Sequence, residues 1–314
     1  MKIMGTTKGK VTIVGAGNVG TSLAHIIAQS SIANIVLYDI IKELPQGHAL
    51  DLGEACPLWN STASIVGTNS YSDTEDSDIL VITAGLARKP GMSRDDLLHA
   101  NAQIVSEVVD NLSKLSPEAI MIVVTNPMDA MTQLSMHKSG FNPRRVIGMG
   151  GILDSARFRT FIAWELGVST EDVEAMVLGG HGDLMIPMPR FTTVKGIAIE
   201  EFISNERIDA IVKRTREGGE EVVRLLKKGS AHYAPAAAIY QMIKALIFDE
   251  KRVLCCSAYL HGEYGIKELY IGVPVVIGSR GVEKIIELSL NEQERECFEK
   301  SAEANRLLIK QLNL

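Results

Sequence analysis

Residues 10–39 constrain this chain more than any other stretch. The short, β-branched run Val11-Thr12-Ile13-Val14 leads into Gly15-Ala16-Gly17-Asn18-Val19-Gly20, and an apolar helical period follows over residues 21–29. A second apolar run, Asn34-Ile35-Val36-Leu37-Tyr38, ends at Asp39. Strand, glycine turn, helix, strand and terminal acid, in that order, read as the first unit of a dinucleotide-binding fold. Gly15 permits the sharp turn, Gly17 lets the backbone approach a pyrophosphate, and Gly20 lets the helix pack close to its strand. The pyrophosphate charge then meets unsatisfied N–H groups at the helix N-terminus. Asp39 accepts from ribose hydroxyls and would repel a 2′-phosphate, so NAD is expected rather than NADP. The expected cofactor contacts are Gly15, Ala16, Gly17, Asn18, Val19, Gly20 and Asp39.

The pattern continues as a doubly wound parallel sheet. Ile79-Leu80-Val81-Ile82-Thr83, Ile120-Met121-Ile122-Val123-Val124 and Val146-Ile147-Gly148-Met149 are further buried strands separated by helical segments. The 314 residues exceed one comfortable core. The expected division is a nucleotide-binding domain over residues 1–151 and a substrate domain over residues 152–314. A formal net charge of −6 and no basic run longer than Lys227-Lys228 argue against a nucleic-acid partner. Residues 1–10 lack the apolar core of a secretory leader and no stretch approaches a membrane span, so a cytoplasmic location is expected. Cys56, Cys255, Cys256 and Cys297 form no C-x-x-C and read as reduced, mostly structural thiols. The histidines show no metal-ligand spacing, and no metal is expected.

Ligands of such sheets sit beyond the carboxyl ends of the strands, and two of those ends carry notable polar groups. One is the segment of residues 84–94, whose glycines and two arginines, Arg88 and Arg94, suit a lid over a charged substrate. The other is Val124-Thr125-Asn126-Pro127, where Asn126 can offer its amide to a substrate and Pro127 turns the chain out of the sheet. Asn101, on the helix after the lid, is placed either toward the nicotinamide or on the helix surface.

The second half contributes Leu153-Asp154-Ser155-Ala156-Arg157 and Gly179-Gly180-His181-Gly182-Asp183. A glycine-flanked histidine is commonly a loop residue and an aspartate near a helix start commonly a cap. Together they supply a base near neutrality, its carboxylate partner and a guanidinium on the same helical face, the set that oxidation of a 2-hydroxy acid requires. The remaining features read as scaffold: a charged helix over residues 204–228 carrying Gly218-Gly219; a helix opening at Pro235 with small residues suited to a subunit contact; a strand through Pro274 that implies an edge or bulge; and a terminal helix with Asn291 and Glu294 in capping-box spacing.

These motifs, with Ala87-Arg88-Lys89-Pro90-Gly91-Met92-Ser93-Arg94 between them, resemble the lactate/malate dehydrogenase superfamily from about Lys10 to the end of the chain, and within it the NAD-dependent malate dehydrogenases of lactate-dehydrogenase-like sequence. The resemblance implies a Rossmann domain followed by an α+β substrate domain, assembled as a homodimer or homotetramer. It implies His181 as proton acceptor, Asp154 as its orienting partner, Arg157 and Arg88 on the two substrate carboxylates and Arg94 on the reacting carbonyl. It places Asn101, Val124, Thr125 and Asn126 among the cofactor contacts, Asn126 serving the substrate as well. Lactate-specific members usually place glutamine at the position of Arg88, so the implied substrate pair is malate and oxaloacetate. Lactate dehydrogenase is the alternative activity, and a non-catalytic NAD-binding protein the alternative class.

Overall fold

A computed structural model describes residues 8–86 and 94–314, with the backbone alone at Arg94. The first half alternates strands and helices: β1 (Gly9–Val14), α1 (Asn18–Ser30), β2 (Ala33–Tyr38), α2 (Leu44–Ala55), β3 (Ile65–Thr68), β4 (Ile79–Ile82), α3 (Arg94–Leu115), β5 (Ile120–Val123), α4 (Met128–Ser139) and β6 (Val146–Gly148). These strands are parallel and ordered β3-β2-β1-β4-β5-β6, so the strand order reverses between β1 and β4. A crevice opens at that reversal beyond the carboxyl ends, which is where Gly15 lies. β1, β4 and β5 are apolar runs because helices cover both their faces; Val11, Ile13, Val81 and Ile122 are fully buried.

The second half holds α5 (Gly150–Leu166), β7 (Val173–Glu174), β8 (Val177–Leu178), β9 (Ile186–Pro187), β10 (Thr193–Val194), β11 (Ile197–Ala198), α6 (Asn205–Leu226), α7 (Tyr233–Ile247), β12 (Arg252–His261), β13 (Lys267–Gly278), β14 (Gly281–Ile285) and α8 (Glu292–Lys310). The strands β12, β13 and β14 are antiparallel and extend the parallel sheet past β6, through Ser257 against Gly148, to nine strands. The two halves therefore share one sheet. Substrate-side residues on α5 and the β8–β9 loop are thereby fixed relative to the nucleotide-binding turn.

Of the edge or bulge expected at Pro274, an irregularity is present, the β13–β14 register shifting between Val276 and Ile277, but the edge is not. Pro274 lies in an interior strand, β13 being flanked by β12 and β14. It is tolerated because the β14 ladder stops at Ile285 against Val275. The Ile286 amide donates to the Pro274 carbonyl (2.9 Å), and the Ile286 carbonyl, which proline cannot serve, accepts from the Tyr264 hydroxyl at 2.7 Å. Of the small residues of α7, Ala236 and Ala238 are buried where α7 packs on α1, while Ala234 and Ala237 are exposed. The capping box forms as expected, with Glu294 N–H donating to Asn291 Oδ1 (2.9 Å) and Asn291 N–H to Glu294 Oε2 (2.8 Å).

Candidate active site

The glycine turn is built as its sequence requires. Gly15 has φ +110°, and a Cβ there would lie 2.6 Å from Thr83 Oγ1 and 2.9 Å from the Ala84 nitrogen. At Gly20 a Cβ would lie 1.9 Å from the Gly15 carbonyl oxygen, so only glycine lets α1 approach β1 this closely. Gly17 caps α1 without a side-chain hydrogen bond and nothing lies within 4 Å of its ideal Cβ, which leaves the helix N-terminus open to a pyrophosphate. Asp39 ends β2 and accepts from Ala16 N–H (2.7 Å) and Ile41 N–H (2.9 Å), which ties it to the turn. These residues fit the pyrophosphate and ribose of NAD.

A cleft of about 760 Å³ runs from Val19 on α1, past Val124, Thr125 and Asn126 after β5, to Arg157 and His181, a size suited to a small-molecule site. Thr125 is buried and donates to the Ala84 carbonyl (2.6 Å), which knits the ends of β5 and β4 together. Asn126 is exposed at the cleft wall. Asn101 departs from the expected cofactor contact. It is buried, accepts from Leu86 N–H (2.7 Å) and donates to the Leu86 and Asn126 carbonyls (3.2 and 2.7 Å). Its amide thus braces the two strand-end loops that wall the cleft. Arg88 and the side chain of Arg94 lie outside the described residues, while the Arg94 backbone opens α3.

His181 sits in the loop between β8 and β9, and three successive amides of that loop are anchored to three elements. Gly179 exchanges hydrogen bonds with Gly272 of β13 (2.9 and 3.1 Å), Gly180 N–H donates to Ser301 Oγ of α8 (2.8 Å), and His181 N–H donates to Asp129 Oδ2 of α4 (2.8 Å). Arg216 of α6 adds a fourth tie, donating from Nε to the Met185 carbonyl (3.1 Å). The imidazole is thereby delivered to α5, where Nδ1 lies 2.7 Å from Asp154 Oδ2. Arg157, one turn on, donates from Nη1 to Asp154 Oδ1 at 3.1 Å. One buried carboxylate therefore serves both groups, one oxygen each.

Burial alone would depress the His181 pKa. The charge and hydrogen bond of Asp154, helped by Asp129, outweigh that penalty and the opposing charge of Arg157, so the imidazolium is favoured beyond its ordinary value. The shape of α6 accommodates this constellation: an added Cβ at Gly218 would stand 3.3 Å from Arg157 Cδ, and at Gly219 3.7 Å from Nη2. The glycine pair that reads as packing or a kink is the groove in which Arg157 lies. Its purpose was invisible in sequence, as were Asp129, Ser257 and Arg216, because each acts across long sequence separations. Among the described residues no group of three or more His, Cys, Asp or Glu side chains could hold a metal ion, and no helix is long and apolar enough to cross a membrane. The four cysteines are free.

Comparison with known proteins places this arrangement. The family model for the lactate/malate dehydrogenase NAD binding domain matches residues 9–148, and that for the lactate/malate dehydrogenase alpha/beta C-terminal domain matches residues 152–312. Malate dehydrogenase of Roseiflexus sp. (strain RS-1) is 55% identical over 295 residues, 94% of this chain and 96% of the relative. The crystal structure of Cryptosporidium parvum malate dehydrogenase matches with a TM-score of 0.95 at 44% identity, covering 98% of this chain and 99% of that one. Lactate dehydrogenase from Cryptosporidium parvum, complexed with lactic acid and nicotinamide adenine dinucleotide, gives a TM-score of 0.95 at 40% identity, covering 98% of this chain and 99% of that one.

Proposed function

The chain belongs to the lactate/malate dehydrogenase family, and on that premise we propose that it catalyses reversible hydride transfer between (S)-malate and NAD, giving oxaloacetate and NADH. The observation that carries the reading is the 2.7 Å contact of His181 Nδ1 with buried Asp154, at the end of a cleft that begins at Val19 in the first turn of α1. NAD, when bound, supplies the hydride acceptor. Asp154 holds the proton on Nδ1, which leaves Nε2 to take the malate hydroxyl proton, and it stabilises the imidazolium that results. In the reverse direction the imidazolium returns that proton to the carbonyl oxygen of oxaloacetate.

Arg157 grips the carboxylate beside the reacting carbon, and Arg94 polarises the carbonyl. Arg88 pairs with the distal carboxylate that malate has and lactate lacks. Enclosing that charge without a cation costs several kcal/mol, while pyruvate leaves Arg88 enclosed without a partner. The names of the relatives support malate, and the likeness to a lactate dehydrogenase keeps lactate as the alternative. Residues 1–151 form the nucleotide part and residues 152–314 the substrate part. Cytoplasmic location and assembly as a homodimer or homotetramer complete the reading; the exposed apolar side chains of Leu58 and Trp164 support an assembly that covers them.

The test is steady-state NADH oxidation with oxaloacetate against pyruvate. A large preference for oxaloacetate is expected. Equal rates would remove the role of Arg88, and no turnover with either would favour a binding protein.

A further inference from the structure

The carboxylate of Asp129 is 4% exposed and is not among the groups assigned above to proton transfer or substrate binding. It occupies the first turn of α4, immediately after the strand-end segment that walls the cleft. Its hydrogen bonds are all accepted from donors: His181 N–H at 2.8 Å on Oδ2 and Ser257 Oγ of β12 at 2.6 Å on Oδ1, with the side chain of Asn305 of α8 also favouring its charge. Burial raises its pKa above the ordinary carboxylate value, and these donors and the neighbouring imidazole, which favour the ionised form, offset that rise in part. An acidic side chain in a helix's first turn is further stabilised by the helix dipole. Donors on both oxygens with an imidazole alongside are the partners that a buried carboxylate needs in order to ionise.

We propose that Asp129 is a positioning residue for the reaction, clamping the His181 backbone so that the ring meets Asp154 while adding a second fixed negative charge beside the imidazole. The proposal rests on His181 being the proton-transfer group. The Gly179 and Gly180 amides are bound by a neutral carbonyl and a neutral hydroxyl. Of these three amides, that of His181 is the one held by a carboxylate. A neutral acceptor would fix the loop equally well in shape, so the charge points to the ring. Among the described residues, Asp154 of α5 contacts that ring, and the charged groups that share its cleft are Arg157 from α5, Arg216, Glu220 and Arg224 from α6, and Asp183 in its own loop. Behind Asp154, β12 contributes Cys255, whose thiol burial pushes up to about 11, so it is uncharged at working pH. Removing the negative charge of Asp129 lowers the pKa of His181, which moves the titration limb of the reaction to lower pH in both directions.

The experiment is Asp129→Asn in the full chain, reading kcat, KM, NADH affinity and the pH dependence of kcat/KM for oxaloacetate beside the unaltered protein. The expected result is a roughly 10-fold or larger fall in kcat, unchanged NADH binding, and a shift of the limb by about one pH unit downward. A fall in kcat with an unmoved limb would reduce Asp129 to scaffold and overturn the proposal, as would unchanged kcat. A second measurement, independent of turnover and of the variant's folding, is hydrogen exchange of the His181 amide in the unaltered apo protein. Protection comparable to core strands is expected, and exchange at open-loop rates overturns the clamp. If the unaltered protein turns over neither oxaloacetate nor pyruvate, the dehydrogenase reading fails, and the amide measurement still decides the clamp.

Discussion

Replacing Asp154 by asparagine sets two neighbours against each other. The side chain is almost fully buried and gives one oxygen to His181 Nδ1 at 2.7 Å and the other to Arg157 Nη1 at 3.1 Å. Asparagine keeps one acceptor and substitutes a donor for the other. If its NH₂ faces the ring, Nδ1 must accept and Nε2 carries the proton, so the ring can neither receive a proton from malate nor form the imidazolium that oxaloacetate reduction needs. If its NH₂ faces Arg157, two donors are opposed and the guanidinium that grips the substrate is displaced. Either way a charge-assisted hydrogen bond of about 1.5–3 kcal/mol is lost, which corresponds to about 10- to 150-fold in rate. Inversion of the tautomer carries the loss further, toward ~10⁴-fold. The assay is NADH absorbance at saturating oxaloacetate, with NADH fluorescence titration as the control for folding and cofactor binding. We expect kcat to fall by about 10²-fold or more with NADH affinity unchanged. A fall of about threefold or less, under ~0.7 kcal/mol, would refute the reasoning.

Arg88→Gln should lower kcat/KM for oxaloacetate relative to pyruvate by roughly 10²-fold, and an unchanged ratio from parallel initial rates would show that the distal carboxylate is bound elsewhere. Gly15→Ala forces a Cβ into a backbone with φ +110° and to within 2.6 Å of Thr83 Oγ1; thermal unfolding and NADH titration should report about 1–3 kcal/mol of strain and weakened binding, and wild-type behaviour in both would exclude strain at the turn. His181 has a folded pKa raised above its unfolded value of about 6.5, so oxaloacetate reduction, which needs the imidazolium, should hold through that value and decline as pH rises through the folded pKa, whereas malate oxidation should rise over the same interval. By linkage the same shift stabilises the apo fold fully below about pH 6.5, and that contribution is lost as pH rises through the folded value; urea unfolding across the window checks the sign.

The nucleotide half was legible because its physics is local. Parallel strands buried on both faces read as unbroken apolar runs, and Gly15 to Gly20 answer to steric demands a few residues away. β3 is not marked by an apolar run because it is an edge strand: Val66 is half exposed, and Ser61, Thr62 and Ser64 before it are polar. β7 to β11 are two residues each and exist only through their pairing partners. Pro274 marks an irregular pairing rather than an edge, because its missing donor is compensated by Tyr264, a residue of another segment. In the site, His181, Asp154 and Arg157 were visible as residue types that chemistry demands. Asp129 was not, since an acid in a helix's first turn is also an ordinary terminus signal; its contact with His181 spans 52 residues and its contact with Ser257 spans 128. Asn101 has the polarity of a cofactor ligand, and its burial against Leu86 and Asn126 emerges only in three dimensions.

His181→Asn, followed by single-turnover reduction of oxaloacetate from preformed enzyme–NADH complex, tests the proton-transfer assignment most directly. Asparagine keeps the backbone amide that Asp129 holds but offers no ring to load with a proton. NADH binding intact and the chemical step slowed by about 10³-fold or more is the predicted result. Turnover near the unaltered rate would place the proton on another residue and contradict the account.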